Sequence, residues 1–136
     1  MDIRNYAKAA STAFNARDAE TLGTLWTEDL SYRAPGGEHS TGREASLERE
    51  RRIWAGVPDI KVELDCFAGD EDRCVLRGRM TGTHSGSFET ADGTFPPTGN
   101  KISIEFVALF EFENGLAKTE EVFYDRADLA RQLSGA

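Results

Sequence analysis

Apolar positions recur with helical spacing in the first part of this chain and with strand spacing in the second. Ile3, Tyr6, Ala7, Ala10 and Phe14 fall at i, i+3 and i+4 intervals, which predicts an amphipathic helix over 2–16. A short second helix follows, with Asp18 as its N-cap and Leu22, Leu25 and Trp26 facing inward. Leu30 to Arg33 reads as a short strand broken by Ala34-Pro35-Gly36-Gly37. Thr41-Gly42-Arg43-Glu44 has the form of a capping box and opens a third helix to about Trp54. That helix is very polar: Ala45, Leu47, Ile53 and Trp54 are its packing residues, and its charge run reads as a solvated face with Glu48 and Arg52 paired. Alternation then takes over. Ile60, Val62, Leu64 and Cys66 share one strand face; Cys74, Leu76 and Met80 share one face of the next. Gly78 and Gly82 inside that second strand predict bending or close backbone approach. Residues 86–100, with Gly93, Pro96, Pro97 and Gly99, read as a long irregular connection.

The last third carries the strongest signal. ISIEFVALFEFE (102–113) and LAKTEEVFYD (116–125) flank Asn114-Gly115, a pair that tolerates the positive φ of a type I′ hairpin turn. Asp125 then caps a final helix, RADLARQL. Three helices, long antiparallel strands and a closing helix make an α+β fold in one domain spanning 1–136.

This ending resembles that of the SnoaL-like polyketide cyclases within the NTF2-like proteins, through Gly115, Asp125, Leu129, Gln132 and Leu133. Gly82-Thr83-His84-Ser85-Gly86 is similar to a Gly-x-His-x-Gly strand end of the same family. The resemblance implies an NTF2-like cone, a curved sheet wrapped around the N-terminal helices with an apolar pocket between them. It also implies a small hydrophobic carbonyl compound as ligand, polyketide cyclase or ketosteroid-isomerase-like proton transfer, and a homodimer.

The family's acid/base aspartate falls at Val122, and its Gln and His fall at Phe106 and Ala108. A valine takes no proton, so the carboxylate chemistry must come from elsewhere. Strand alternation puts Glu120 and Tyr124 on the face of Val122. Glu120 is therefore the candidate base, its pKa raised by an apolar pocket. His84 and Tyr32 are the candidate polarising donors. Trp26, Trp54, Phe106, Ala108, Phe110, Val122 and Tyr124 are the candidate ligand-binding wall, although the same residues would serve a core. A non-catalytic ligand-binding module and a dimerisation module of the same fold stay open as alternatives.

Composition narrows the partners. A net charge of −8 speaks against nucleic acid and anionic membrane, which select basic surfaces. No apolar run approaches a membrane span and the N-terminus has no uninterrupted apolar stretch, so a cytoplasmic location is expected. The chain has two histidines, and neither has acidic companions at ligand spacing, so no metal is expected. The sequence holds no Gly-rich phosphate loop or nucleophile elbow, and no cofactor is expected. Symmetry about Asp70 sets Cys66 opposite Cys74, both read as reduced thiols in packing roles.

Overall fold

The computed structural model describes residues 3–135. Helix α1 (Ile3–Asn15) buries Tyr6, Ala7 and Phe14 of the predicted face together with Ala13, while Ile3 and Ala10 are half-buried. Its last residue does more than end it. The Asn15 side-chain amide donates to Val62 O at 3.1 Å and accepts from Val62 N at 2.8 Å, occupying backbone groups on the edge strand β3. Helix α2 (Ala19–Gly23) starts at Asp18, whose carboxylate accepts from Thr21 N.

Strand β1 (Trp26–Ala34) is longer than the expected Leu30–Arg33 and turns through Gly36 and Gly37 into β2 (Glu38–Thr41). Segment 38–41, including His39, is thus a strand rather than loop: it pairs antiparallel with β1, Arg33 opposite His39. Helix α3 (Arg43–Gly56) begins without the expected capping box. Gly42 is its N-cap at φ 110°, and no side chain caps it. Glu48 pairs with Arg51 rather than Arg52, at 3.2 Å.

Strands β3 (Lys61–Gly69) and β4 (Arg73–Thr83) form a hairpin whose register corrects the cysteine expectation. Cys66 lies opposite Arg77, and Cys74 opposite Gly69. Asp70 opens the turn rather than centring it. Its backbone N donates to Arg73 O, and its carboxylate accepts from Asp72 N and Arg73 N, each at 2.9 Å. That Asx turn displaces the pairing axis toward the C-terminus. Cys74 is buried, and burial pushes its thiol up to about 12; the Cys66 side chain lies outside the described residues. Gly82 meets the expectation of close approach: a Cβ there would stand 2.4 Å from Val57 Cγ1.

Residues 86–100 contain a small hairpin of their own, β5 (Phe88–Thr90) and β6 (Gly93–Phe95), where only a loop is expected. Strands β7 (Lys101–Glu113) and β8 (Leu116–Tyr124) close through Asn114 (φ 52°) and Gly115 (φ 80°). Asp125 caps α4 (Arg126–Leu133), accepting from Asp128 N at 2.9 Å. Gln132 docks that helix, its amide accepting from Ser103 N and donating to Ser103 O.

The main sheet has the order β2-β1-β8-β7-β4-β3, with β1 parallel to β8 and the other pairs antiparallel. It curves around the helices, giving the expected α+β fold. Two core clusters pack inside the cone. One joins Tyr6 of α1 to Trp26, Leu30, Leu76, Phe110 and Phe112; the other joins Phe14, Val57, Ile60, Phe88, Ile102 and Leu133. Among the described residues no helix is long and apolar enough to cross a membrane.

Candidate active site in the cone cavity

Between the clusters the cone holds a cavity of about 460 Å³. Ile53, Ile60, Met80, Phe88, Ile102, Ile104, Phe106, Val122 and Leu129 make its apolar wall. The exposed lining residues Gly36, Gly37, Arg52, Glu89 and Ala91 mark its mouth. Beyond the mouth, Arg126 forms a bidentate pair with Asp92 (Nε to Oδ2 2.8 Å, Nη2 to Oδ1 2.7 Å), tying α4 to the β5–β6 turn.

Strand register brings the polar groups together. Tyr32 of β1 lies beside Glu120 of β8, and on β8 alternation places Val122 and Tyr124 on the same inner face. Across the next ladder Phe110, Ala108 and Phe106 stand opposite Glu120, Val122 and Tyr124.

Helix α3 adds two residues that sequence reasoning assigned to a solvated face. Arg49 and Glu50 are only 7% and 8% exposed and both line the cavity. Arg49 donates from Nη1 to Ser46 Oγ and from Nη2 to Glu50 Oε1, each at 3.1 Å. The centre of its guanidinium lies 3.4 Å from the centroid of the Tyr32 ring, a cation–π contact. Glu120 Oε1 is 3.7 Å from Arg49 Nη2, and the Glu120 carboxylate accepts no hydrogen bond from any described residue. The signal for this pair was present but weak. Ser46, Arg49, Glu50 and Ile53 recur at i, i+3, i+4 and i+7, an inward stripe hidden by its polarity.

The electrostatics follow from two carboxylates sharing one cation out of water. Burial pushes the Glu120 carboxyl up; Arg49 opposes this and Glu50 adds to it, leaving Glu120 at about 7. Burial likewise raises Glu50 against the pull of Arg49. For Arg49, burial favours the neutral form, but the Glu50 and Glu120 charges outweigh it and its pKa is raised. The Tyr32 hydroxyl, pushed well up by burial, stays protonated and makes no hydrogen bond with any described residue. The site therefore presents a carboxyl group that titrates near neutrality beside a phenolic donor with free capacity.

The remaining predicted residues fall elsewhere. His84 is fully buried outside the cavity lining. Its Nε2 donates to Phe95 O at 3.2 Å and its Nδ1 lies 3.0 Å from Thr98 Oγ1. Its ring meets Phe88 edge-on, so it braces the β5–β6 segment behind the cavity wall. Trp26 is in the core, donating from Nε1 to Tyr6 Oη at 3.1 Å. Trp54 packs against Phe14 between the clusters. Ala108 is 1% exposed in the first cluster, and Phe110 packs edge-on against Tyr6 there. Of the expected wall, Phe106, Val122 and Tyr124 line the cavity. Among the described residues no cluster of His, Cys, Asp and Glu could hold a metal ion.

A curved mixed sheet around an apolar cavity with one convergent polar corner is the arrangement of the NTF2-like, ketosteroid-isomerase-like fold. The chain belongs to the SnoaL-like polyketide cyclase family, whose sequence model matches residues 4–133. Solved structures share the fold. A proposed SnoaL-like polyketide cyclase from Jannaschia sp. CCS1 superposes with TM-score 0.86 at 17% identity, covering 98% of this chain and 92% of its own. IdmH, a proposed polyketide cyclase from Streptomyces antibioticus, gives 0.79 at 24% identity over 96% of both chains. A protein of ketosteroid isomerase-like fold from Catenulispora acidiphila DSM 44928, bound to trimethylamine, gives 0.76 at 19% identity over 94% and 91%. No curated protein matches this sequence.

Proposed function

We propose that this protein catalyses proton transfer on a neutral, largely apolar carbonyl compound, in the manner of a cyclase or isomerase, with Glu120 as base and Tyr32 as donor to the carbonyl oxygen. One observation carries the reading: a cavity-facing carboxyl, raised to about 7, that accepts no hydrogen bond from any described residue. A base with that affinity is poised to work near neutral pH. Family membership supports the reaction class. The acidic lining (Glu38, Glu50, Glu89 and Glu120 against Arg49 and Arg52) disfavours an anionic ligand.

In this scheme Glu120 takes a proton from the carbon beside the carbonyl. The C–H electrons move into the new C=C bond, and the carbonyl electrons move onto oxygen. The site keeps its overall charge, because the negative charge leaves Glu120 and appears on the substrate oxygen. The Tyr32 hydroxyl then stabilises it, as an oxyanion donor does. In a cyclase the enolate carbon attacks a second carbonyl of the same molecule, and the resulting alkoxide recovers the proton from Glu120. In an isomerase the proton returns to a different carbon.

Glu120→Gln tests the assignment, keeping shape while removing the proton acceptor. Deuterium exchange at the α-carbon of a panel of neutral ketones should fall about 10²–10⁴-fold, the usual share of general base catalysis. Affinity for those ketones should stay, because Phe106, Ile104 and Met80 carry the binding surface. Equal exchange in both proteins would remove Glu120 as base and leave a binding pocket.

A further inference from the structure

We propose that Glu50 is a positioning residue for Glu120: it anchors the Arg49 guanidinium so that the cation stands beside the base without bonding to it. The inference rests on the reading of Glu120 as the base.

The geometry of Arg49 carries it. An arginine facing a single buried carboxylate settles into a bidentate pair, which holds the carboxylate ionised and makes it a poor base. Here each interaction of the guanidinium draws it elsewhere. Its Nη1 donates to Ser46 and its Nη2 to Glu50, and its face lies on the Tyr32 ring. What remains for Glu120 is an approach of 3.7 Å, beyond hydrogen-bonding distance. Helix spacing enforces the division. Ser46, Arg49 and Glu50 sit on one face of α3, so the anchor is local to the helix, while Glu120 belongs to the sheet.

Other groups around Glu120 do not provide this restraint. Tyr32 from β1 and Tyr6 from α1 are phenols whose pKa values are raised chiefly by burial and further by the Glu120 charge. Glu38 from β2 acts on Tyr32 and Glu50. Phe110 from β7 lies opposite Glu120 and carries no charge, and Tyr124 of β8 is likewise raised by burial. Arg49 is the one cation that acts on Glu120 among the described residues, so where its guanidinium points decides how basic Glu120 is.

Two variants separate position from charge. Glu50→Gln removes a nearby negative charge while keeping an oxygen that can accept from Arg49. Glu50→Asp keeps the charge but withdraws the carboxylate by one methylene, so Arg49 can swing toward Glu120. Carbon-13 NMR titration of the Glu120 carboxyl, without substrate, reads the result independently of turnover. The expected midpoint falls by at least one pH unit in Glu50→Gln, a tenfold loss of proton affinity, and by about half a unit in Glu50→Asp. The acid limb of the exchange-rate profile should move with it. A midpoint unmoved or raised in Glu50→Asp overturns the proposal, and this variant decides the matter if Glu50→Gln does not fold. A lowered midpoint together with full exchange in Glu120→Gln would keep the positioning role and discard the base.

Discussion

At the scale of single residues, the site keeps two carboxylates and one guanidinium in a place that favours apolar groups. That is costly, and the cost is measurable as pH dependence. The pKa of Glu120 is raised by burial from 4.5 to about 7. A carboxyl with a raised folded pKa contributes stability that is fully present below its unfolded value and is lost as pH rises through the folded value. Stability should therefore decline between about pH 4.5 and pH 7, by on the order of 3 kcal/mol in full. Glu50, also raised by burial, acts in the same direction. Asp18, Asp59 and Asp70 are lowered by their hydrogen bonds to Thr21, to Thr83, and to Arg73 and Asp72. Their contributions are lost only as pH falls below 3.8, outside this window. Glu120→Gln should flatten the decline and be more stable than the parent at pH 8 by about 1–3 kcal/mol. Urea unfolding at pH 5 and pH 8 checks this, and parallel curves for the two proteins would contradict it.

At the scale of elements, the β5–β6 hairpin closes one side of the cavity by lying on α3. The contact is tight enough to exclude a methyl group: a Cβ on Gly56 would stand 2.5 Å from Phe88 Cγ, and one on Gly86 only 1.9 Å from Ala55 O. His84 holds the same segment from behind, through Phe95, Thr98, Gly99 and Asn100. Gly56→Ala should therefore push Phe88 off the helix, open the cavity wall and cost about 1–3 kcal/mol. Denaturant unfolding and faster proteolysis within 86–100 are the readouts. A loss under about 0.5 kcal/mol would mean that the hairpin does not bear on α3 as described.

At the scale of the whole molecule, the sheet has an outer face as well as an inner one. Leu109 and Phe123 are 42% and 48% exposed there, and the register sets Val75 and Val107 beside them. An apolar strip on an otherwise charged surface is the kind of face that a partner covers. Sheet-to-sheet pairing of two copies is the expected assembly. Sedimentation equilibrium should give twice 15.0 kDa at micromolar concentration, and Phe123→Lys should return it to the monomer. A monomer mass for the parent protein would remove the pairing.

Local patterns were enough to read the elements whose signals are local. The face of α1, the Asp18 and Asp125 caps, the Asn114-Gly115 turn and the shared face of Glu120, Val122 and Tyr124 all follow from spacing within a few residues. What depended on distant partners was not legible. Segment 38–41 pairs only because β1 offers an edge, and β5–β6 forms over a helix that precedes it by thirty residues or more. The Cys66 register turned on how the Asp70 carboxylate is used inside its own turn. Arg49 and Glu50 are the clearest case. In sequence they belong to a charge run, and charged residues are seldom buried without partners. Only the tertiary structure supplies those partners, Glu120 and Tyr32 on strands more than a dozen residues away, and so turns a polar helix face into the corner of a pocket.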